Sequence, residues 1–222
     1  MEIQWYGQSA FRLSHKDATV FIDPFGDMSG LAARGMRFDY GPIRDVEATL
    51  LLVTHEHRDH NGVDAIAGSP AVIRSTAGRL KSPVGEVVAV ASEHDPKAGT
   101  ERGPNTIFAF ELGGIRVCHF GDFGQRALRQ EQAEAIGAVD LLFLPVGGGP
   151  TIDAEQAAAI VQTLAPRWVV PMHYRTPAVG FLEPVDGFLQ RMDPVQRLDS
   201  PRFDVAMLES NGQTLTVVPT AP

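Results

Sequence analysis

The stretch Leu50-Leu51-Leu52-Val53-Thr54-His55-Glu56-His57-Arg58-Asp59-His60-Asn61-Gly62 restricts this chain more than any other part of it. Its first half closes a nearly continuous apolar run, Ala48 to Val53, with the length and composition of a strand buried on both faces. That strand delivers His55 at its C-terminal end. His55 and His57 lie two apart, so on extended backbone they point the same way and can close on one cation through neutral ring nitrogens. Asp59 and His60 fall where Asn61-Gly62 turns the chain, so they can be aimed at a different point. One loop held by a buried strand is therefore expected to serve two adjacent metals.

A chain of 222 residues suits one large domain, 1–222, able to bury a core. With 44% hydrophobic and 21% charged residues it has the balance of a soluble globular protein. No stretch approaches the roughly eighteen apolar residues of a membrane helix, so no membrane segment is expected. The start, Met1-Glu2-Ile3-Gln4-Trp5-Tyr6, lacks the basic and apolar segments of a secretory signal. Cys118, the only cysteine, excludes an intramolecular disulfide and fits a reducing compartment. A cytoplasmic location is the expectation. Net charge of −8 and a pI near 5.3 have the wrong sign for holding polyanions, so no nucleic acid is expected as partner. A small molecule is expected instead, and homo-oligomerisation is left open.

Taken in order, Ile3 to Tyr6, Ala10 to Ser14 and Thr19 to Ile22 read as a β-meander ending at Asp23-Pro24. Asp27 to Pro42 has no clean period and reads as a flap over the site, with Arg34 and Arg37 expected to meet substrate anions. Val63 to Ala67 reads as helix, Ala71 to Ser75 as strand, Ala77 to Leu80 as a turn of helix and Val87 to Val90 as strand, in βα-like units. His94 follows at a strand end broken by Pro96. Asn105 to Leu112 and Ile115 to Phe120 form a hairpin across Gly113-Gly114, and the second strand runs into Gly121-Asp122, where glycine brings a carboxylate close to the sheet. After a helix over Ala127 to Ile136, the strand Leu141 to Val146 meets Gly147-Gly148-Gly149, read as close backbone packing beside the site. A helix capped by Thr151 or Asp153 follows, and the strand Arg167 to Pro171 then presents His173. The remainder reads as a helix over Val185 to Met192 and strands over Val195 to Leu198, Val205 to Leu208 and Leu215 to Val218.

The candidate ligands, all at strand ends, divide into two sets. His55, His57 and His94 make a neutral site of the catalytic-zinc type, with a position open for water. Asp59, His60 and His173 make a second, harder site, and Asp122 has two oxygens with which to bridge both ions. Two divalent ions, zinc or manganese, against two carboxylates and a hydroxide leave a net positive charge of about one. Such a site favours an anionic or strongly polarised oxygen substrate and holds hydroxide ready at neutral pH. The expected function is hydrolysis, with a metal-bridging hydroxide attacking a carbonyl or phosphoryl centre of a small lactone, ester or phosphodiester. Asp59 and Asp122 are the expected catalytic residues. Tyr174 is a further candidate, as a donor to the developing oxyanion.

The string His55 to His60, then His94, then Gly121-Asp122, then His173 resembles the metallo-β-lactamase fold superfamily. That resemblance implies an αββα sandwich with a dinuclear site at one edge of the sheets. More narrowly, Arg102-Gly103-Pro104-Asn105, Pro145-Val146-Gly147-Gly148 and Pro171-Met172-His173-Tyr174 resemble small metal-dependent hydrolases related to ascorbate-6-phosphate lactonase and N-acyl phosphatidylethanolamine phospholipase D. On that basis Asn105 joins the candidate substrate contacts. Asp23 is similar to the superfamily's strand-end aspartate, which steadies the histidine loop without binding metal. No acidic residue replaces His57 as in the diiron flavoproteins, which disfavours oxygen or nitric oxide reduction. The alternatives to hydrolysis are an oxygenase-type enzyme with a single iron on His55, His57 and His94, and a non-catalytic metal-binding sensor.

Overall fold

The computed structural model describes residues 1–209 and 211–222, with all their side chains except that of Arg34. The meander forms as expected, as β1 (Glu2–Gly7), β2 (Ala10–His15) and β3 (Ala18–Ile22). A 3-10 turn, Ser29–Arg34, precedes β4 (Val46–Glu47) and β5 (Leu50–Val53). A second such turn, Val63–Ala65, leads into β6 (Ile66–Ala67), β7 (Ala71–Arg74), β8 (Gly78–Ser82), β9 (Gly85–Glu93), β10 (Pro104–Leu112) and β11 (Ile115–His119). Then come α1 (Gln130–Ile136), β12 (Leu141–Pro145), α2 (Ala154–Leu164), β13 (Trp168–Met172), α3 (Asp186–Leu189), β14 (Val195–Arg197), β15 (Arg202–Asp204) and β16 (Leu215–Val218).

Two sheets carry the fold, in the orders β15-β1-β2-β3-β5-β7 and β14-β16-β13-β12-β11-β10-β9-β8, with β4 and β6 paired separately. Phe11 of β2 meets Phe143 of β12 with ring centroids 4.4 Å apart, packing one sheet on the other. The apolar run of β5 serves two cores, as its alternation requires. Leu50 and Leu52 join the main core with Phe11, Phe108 and Phe143, whereas Leu51 and Val53 join a second cluster with Phe21, Phe25, Tyr40 and Val179. Ile136, Ile160, Val161 and Phe188 of the helices are buried in the main core. The sandwich is therefore αββα in plan. Over the six-stranded sheet its outer layer consists of loop and 3-10 turns that supply Phe25, Tyr40, Ile43 and Leu182.

Four local expectations change. Ala77 to Leu80 is not helical: β8 pairs antiparallel with β9, Gly78 opposite Ala89, and half-buried Leu80 alternates with exposed Arg79 and Lys81. The βα-like unit is thus a hairpin, because a period of two sets the face. Val63 to Ala67 makes only a 3-10 turn and a short strand. Val205 to Leu208 is a 3-10 turn whose start is capped by Asp204, which accepts from the Ala206 N–H at 2.7 Å. The helix expected over Val185 to Met192 is regular only across Asp186–Leu189.

The topology decides where chemistry can sit. β3 and β5 are parallel, as are β11, β12 and β13. Asp23, His55, Asp122 and His173 follow β3, β5, β11 and β13, so they collect outside the carboxyl ends of parallel strands, the usual ligand position in sheets of this kind. β9 runs in the same direction as β11, each antiparallel to β10, which brings His94 to the same edge.

Candidate metal centre

Construction starts at Asp23, fully buried and held at φ +50°. Its Oδ1 accepts the Thr54 N–H at 2.8 Å, and its Oδ2 accepts the Thr54 hydroxyl at 2.7 Å and His60 Nδ1 at 2.8 Å. Because the Thr54 proton goes to Asp23, His55 Nδ1, 3.1 Å from Thr54 Oγ1, must be the donor in that contact. One carboxylate thereby fixes both imidazoles as Nδ1–H tautomers and leaves Nε2 of each bare toward the cluster. The Thr54 carbonyl also accepts the Thr106 N–H of β10 at 3.0 Å, which ties the histidine loop to both sheets.

Asp122 stands at the centre. Its Oδ2 lies 3.2 Å from His94 Nε2, 3.2 Å from His173 Nε2 and 3.9 Å from His55 Nε2. Its Oδ1 lies 3.1 Å from His60 Nε2. The carboxylate is aimed by its backbone: Asn105 Oδ1 accepts the Asp122 N–H at 3.0 Å, and Gly121 sits at φ +56°, where a Cβ would collide with Asn105 and Thr54. His119 Nδ1 accepts the Gly121 N–H at 3.1 Å, and its Nε2–H donates to the Ser9 carbonyl at 3.0 Å, so His119 positions the turn and is no ligand. Gly147 packs against the His173 carbonyl where no side chain fits, as the sequence suggested. His173 itself is held at φ +51°, a second strained residue at the site.

The ligand atoms form two sets, His55, His57 and His94, and Asp59, His60, Asp122 and His173, each with its atoms within 4.8 Å of one another. Burial, and then the neighbouring imidazole of His60, hold His55 well below the usual histidine range, and burial lowers His57 as well. Burial also acts to lower His60, but the Asp122, Asp59 and Asp23 carboxylates outweigh it and raise the group well above its ordinary value. Burial opposes ionisation of Asp122, yet His173, His60 and His94 hold it well below the carboxylate range. His60 Nε2 and Asp122 Oδ1 are nonetheless buried without a hydrogen-bond partner. His55 Nε2 and His57 Nδ1 face each other at 3.0 Å. Buried polar atoms without partners and imidazoles crowded ring nitrogen to ring nitrogen about a carboxylate are what cations would satisfy, so the residues present fit divalent metals.

Several supporting residues were not legible in the sequence. Gln8, between β1 and β2, is buried, and its Nε2 donates to Asp59 Oδ2 at 3.2 Å. Asp95 accepts the N–H groups of Lys97, Gly99, Glu101 and Arg102, which organises the loop after His94; an Asp-Pro followed by glycine was its only signal. Glu56, between the two loop histidines, is bound by Arg74 at 2.5 and 2.8 Å and by Ser75 at 2.8 Å. Arg74 first, then Ser75 and Asn61, push its carboxyl down from 4.5 to about 2. A depressed carboxyl stabilises the fold above its unfolded pKa, and that stability is lost as pH falls through the folded value. The pair is half exposed, so it is worth about 1 kcal/mol or less. The urea midpoint is therefore expected to fall between pH 5 and pH 3 by slightly more in the parent than in Glu56→Gln. An identical pH dependence in both proteins would remove this bridge from the stability of the loop.

The candidate substrate contacts need revision. Asn105 is 1% exposed and spends its amide on Ser92 Oγ and the Phe120 carbonyl, both at 2.8 Å, so it shapes the Asp122 turn and faces no substrate. Tyr174 is buried with its ring 5.5 Å from that of Trp5, a packing position beside His173. Arg37 is exposed and paired with Asp39 at 2.6 Å. The Arg34 side chain lies outside the described residues. The flap is pinned beside the site, since the Asp39 N–H donates to the Ala178 carbonyl at 2.9 Å and Phe38 bridges Val179.

Comparison with known proteins gives a consistent picture. A family model described as the Beta-lactamase superfamily domain matches residues 2–173. A UPF0173 metal-dependent hydrolase of Thermococcus kodakarensis is 30% identical over 207 residues, covering 79% of this chain and 85% of its own. A UPF0173 protein of Pyrococcus abyssi is 29% identical, covering 86% and 91%. Among solved structures, a Thermotoga maritima candidate Zn-dependent hydrolase of the metallo-beta-lactamase superfamily superposes with a TM-score of 0.78 at 29% identity, covering 99% of this chain and 98% of that one.

Proposed function

The chain belongs to the metallo-β-lactamase superfamily, among its metal-dependent hydrolases, and from that premise we propose that it hydrolyses a small, anionic ester, lactone or phosphodiester at a dinuclear centre. The observation that carries this reading is Asp122, one carboxylate within 3.2 Å of imidazole nitrogens from both ligand sets. Divalent ions held there, zinc or manganese, would supply Lewis-acid polarisation of the substrate oxygen and water acidic enough to attack at neutral pH. His55, His57 and His94 would hold one ion, and Asp59, His60 and His173 the other, with Asp122 between them.

The chain's own residues do the rest. Asp23 keeps His55 and His60 in the tautomers that present Nε2. Asp59, whose side chain is 21% exposed, is the carboxylate of the set that solvent reaches, and it takes up the proton released on attack and returns it to the leaving group. Gln8 keeps that carboxylate turned to His60. A single-ion oxygenase using only the three imidazoles would leave Asp59, His60 and His173 converging for no reason.

Lactones, carboxylic esters, amides, phosphodiesters and phosphomonoesters, offered to chelator-stripped protein and to protein reloaded with zinc or manganese, test the reading. Turnover of a carbonyl or phosphoryl substrate that appears on reloading is expected. Absence of hydrolysis across the panel with both metals contradicts it.

A further inference from the structure

A cavity of about 340 Å³ beside the centre is lined by Asp27, Met28, Gly30, Leu31, Arg58 and Asp59. It shares Asp59 with the second ligand set, so a molecule lying in it reaches the reacting edge. Arg58 sits in the chain between two candidate ligands, His57 and Asp59, and its carbonyl accepts the Gly26 N–H at 2.9 Å. Its backbone is therefore fixed at the base of the flap. Its guanidinium has no hydrogen bond or ion pair among the described residues, whereas Arg37, Arg74 and Arg129 are each committed to a carboxylate.

We propose that Arg58 and this cavity form the subsite for a carboxylate on the acyl part of the substrate, with Met28 and Leu31 contacting the carbon chain between that carboxylate and the scissile group. This deepens the hydrolase reading and rests on it for the word substrate. Arg58 lines the cavity, and its guanidinium makes no hydrogen bond or ion pair among the described residues, acting only through its charge on the neighbouring Asp27, so it supplies a forked, permanently charged donor for a planar oxyanion. The apolar side chains of Met28 and Leu31 exclude a wholly polar ligand from the rest of the wall. Asp27 sets the charge: its Oδ1 accepts the Ser29 N–H at 2.9 Å and stays on the wall as an anion, so the subsite suits a monoanion better than a doubly charged phosphate. Arg58 takes the role expected from the sequence for Arg34 or Arg37; the Arg37 guanidinium is held by Asp39, and the Arg34 side chain lies outside the described residues.

The test is binding, so it does not depend on turnover. Zinc-loaded parent, Arg58→Met and Arg37→Met are titrated calorimetrically with hexanoate and with butylphosphonate, and metal content is measured in all three. Arg58→Met is expected to retain parent metal content and to bind hexanoate about tenfold more weakly, the effect of one charge-assisted hydrogen bond. Arg37→Met is expected to bind it as the parent does. Equal hexanoate affinity in the parent and Arg58→Met overturns the subsite, and a loss confined to butylphosphonate overturns its carboxylate preference. A hexanoate difference in a protein that hydrolyses nothing would sink the hydrolase reading and leave the subsite standing.

Discussion

Asp122→Asn is expected to fold, to bind fewer than two divalent ions per chain and to lose about a hundredfold or more of its hydrolytic activity. Asparagine has nearly the same size and can keep the same turn, because the bonds that aim this residue run through its backbone N–H to Asn105 and through Gly121 to His119. What changes is the atom between the ligand sets. One acceptor oxygen and the charge are lost, so the Oδ1 side toward His60 and the Oδ2 side toward His94 and His173 can no longer both present an anion. Two divalent ions about 4 Å apart would then repel one another with less screening. Circular dichroism, elemental analysis and turnover on one preparation separate the outcomes. Two tightly held ions with parent turnover would refute the bridging role.

The second large effect is expected at Asp23. Asp23→Ala removes the acceptor for the Thr54 N–H, the Thr54 hydroxyl and His60 Nδ1 in a site with no solvent exposure. Leaving buried donors unpaired costs about 3–5 kcal/mol in the metal-free protein, read from chemical denaturation. The tautomers of His55 and His60 are also freed, so metal affinity of the folded fraction should fall roughly 10- to 100-fold. Asp23→Asn keeps one acceptor oxygen, enough for at most two of the three donors, and loses the charge, so it is expected to recover part of the stability and little of the affinity. Parent-like affinity in folded Asp23→Ala would reduce Asp23 to a purely structural residue.

Both residues were legible in the sequence for a physical reason: each follows an apolar strand and precedes or flanks a residue that breaks the ladder, Pro24 or Gly121. Strand ends of that kind, with a ligand-type side chain, marked the side chains that converge in the structure, because parallel strands bring their ends to one edge whatever lies between them. The main strands were legible from their period of two or their continuous apolar runs, and the family resemblance supplied the sandwich. Short elements failed where packing outweighed propensity. Gly78 to Ser82 is held as a strand by pairing with β9, and Val205 to Met207 turns because Asp204 caps it. Polar support was invisible for another reason. Gln8 lies 51 residues from Asp59 and Asn105 lies 17 from Asp122, so nothing local marks their hydrogen bonds. Arg58 was in plain view within the histidine string, but what separates it from the other exposed arginines beside cavities, Arg44, Arg126 and Arg191, is that its cavity shares Asp59 with the second ligand set.

The central claim is that seven side chains hold two ions about Asp122. Its most direct test is the number of metal ions per chain, from elemental analysis of chelator-stripped protein titrated with zinc to saturation, against protein concentration fixed by amino-acid analysis. Two zinc ions per chain are expected, with the second lost in Asp122→Asn. Saturation at one ion in the parent would contradict the dinuclear centre.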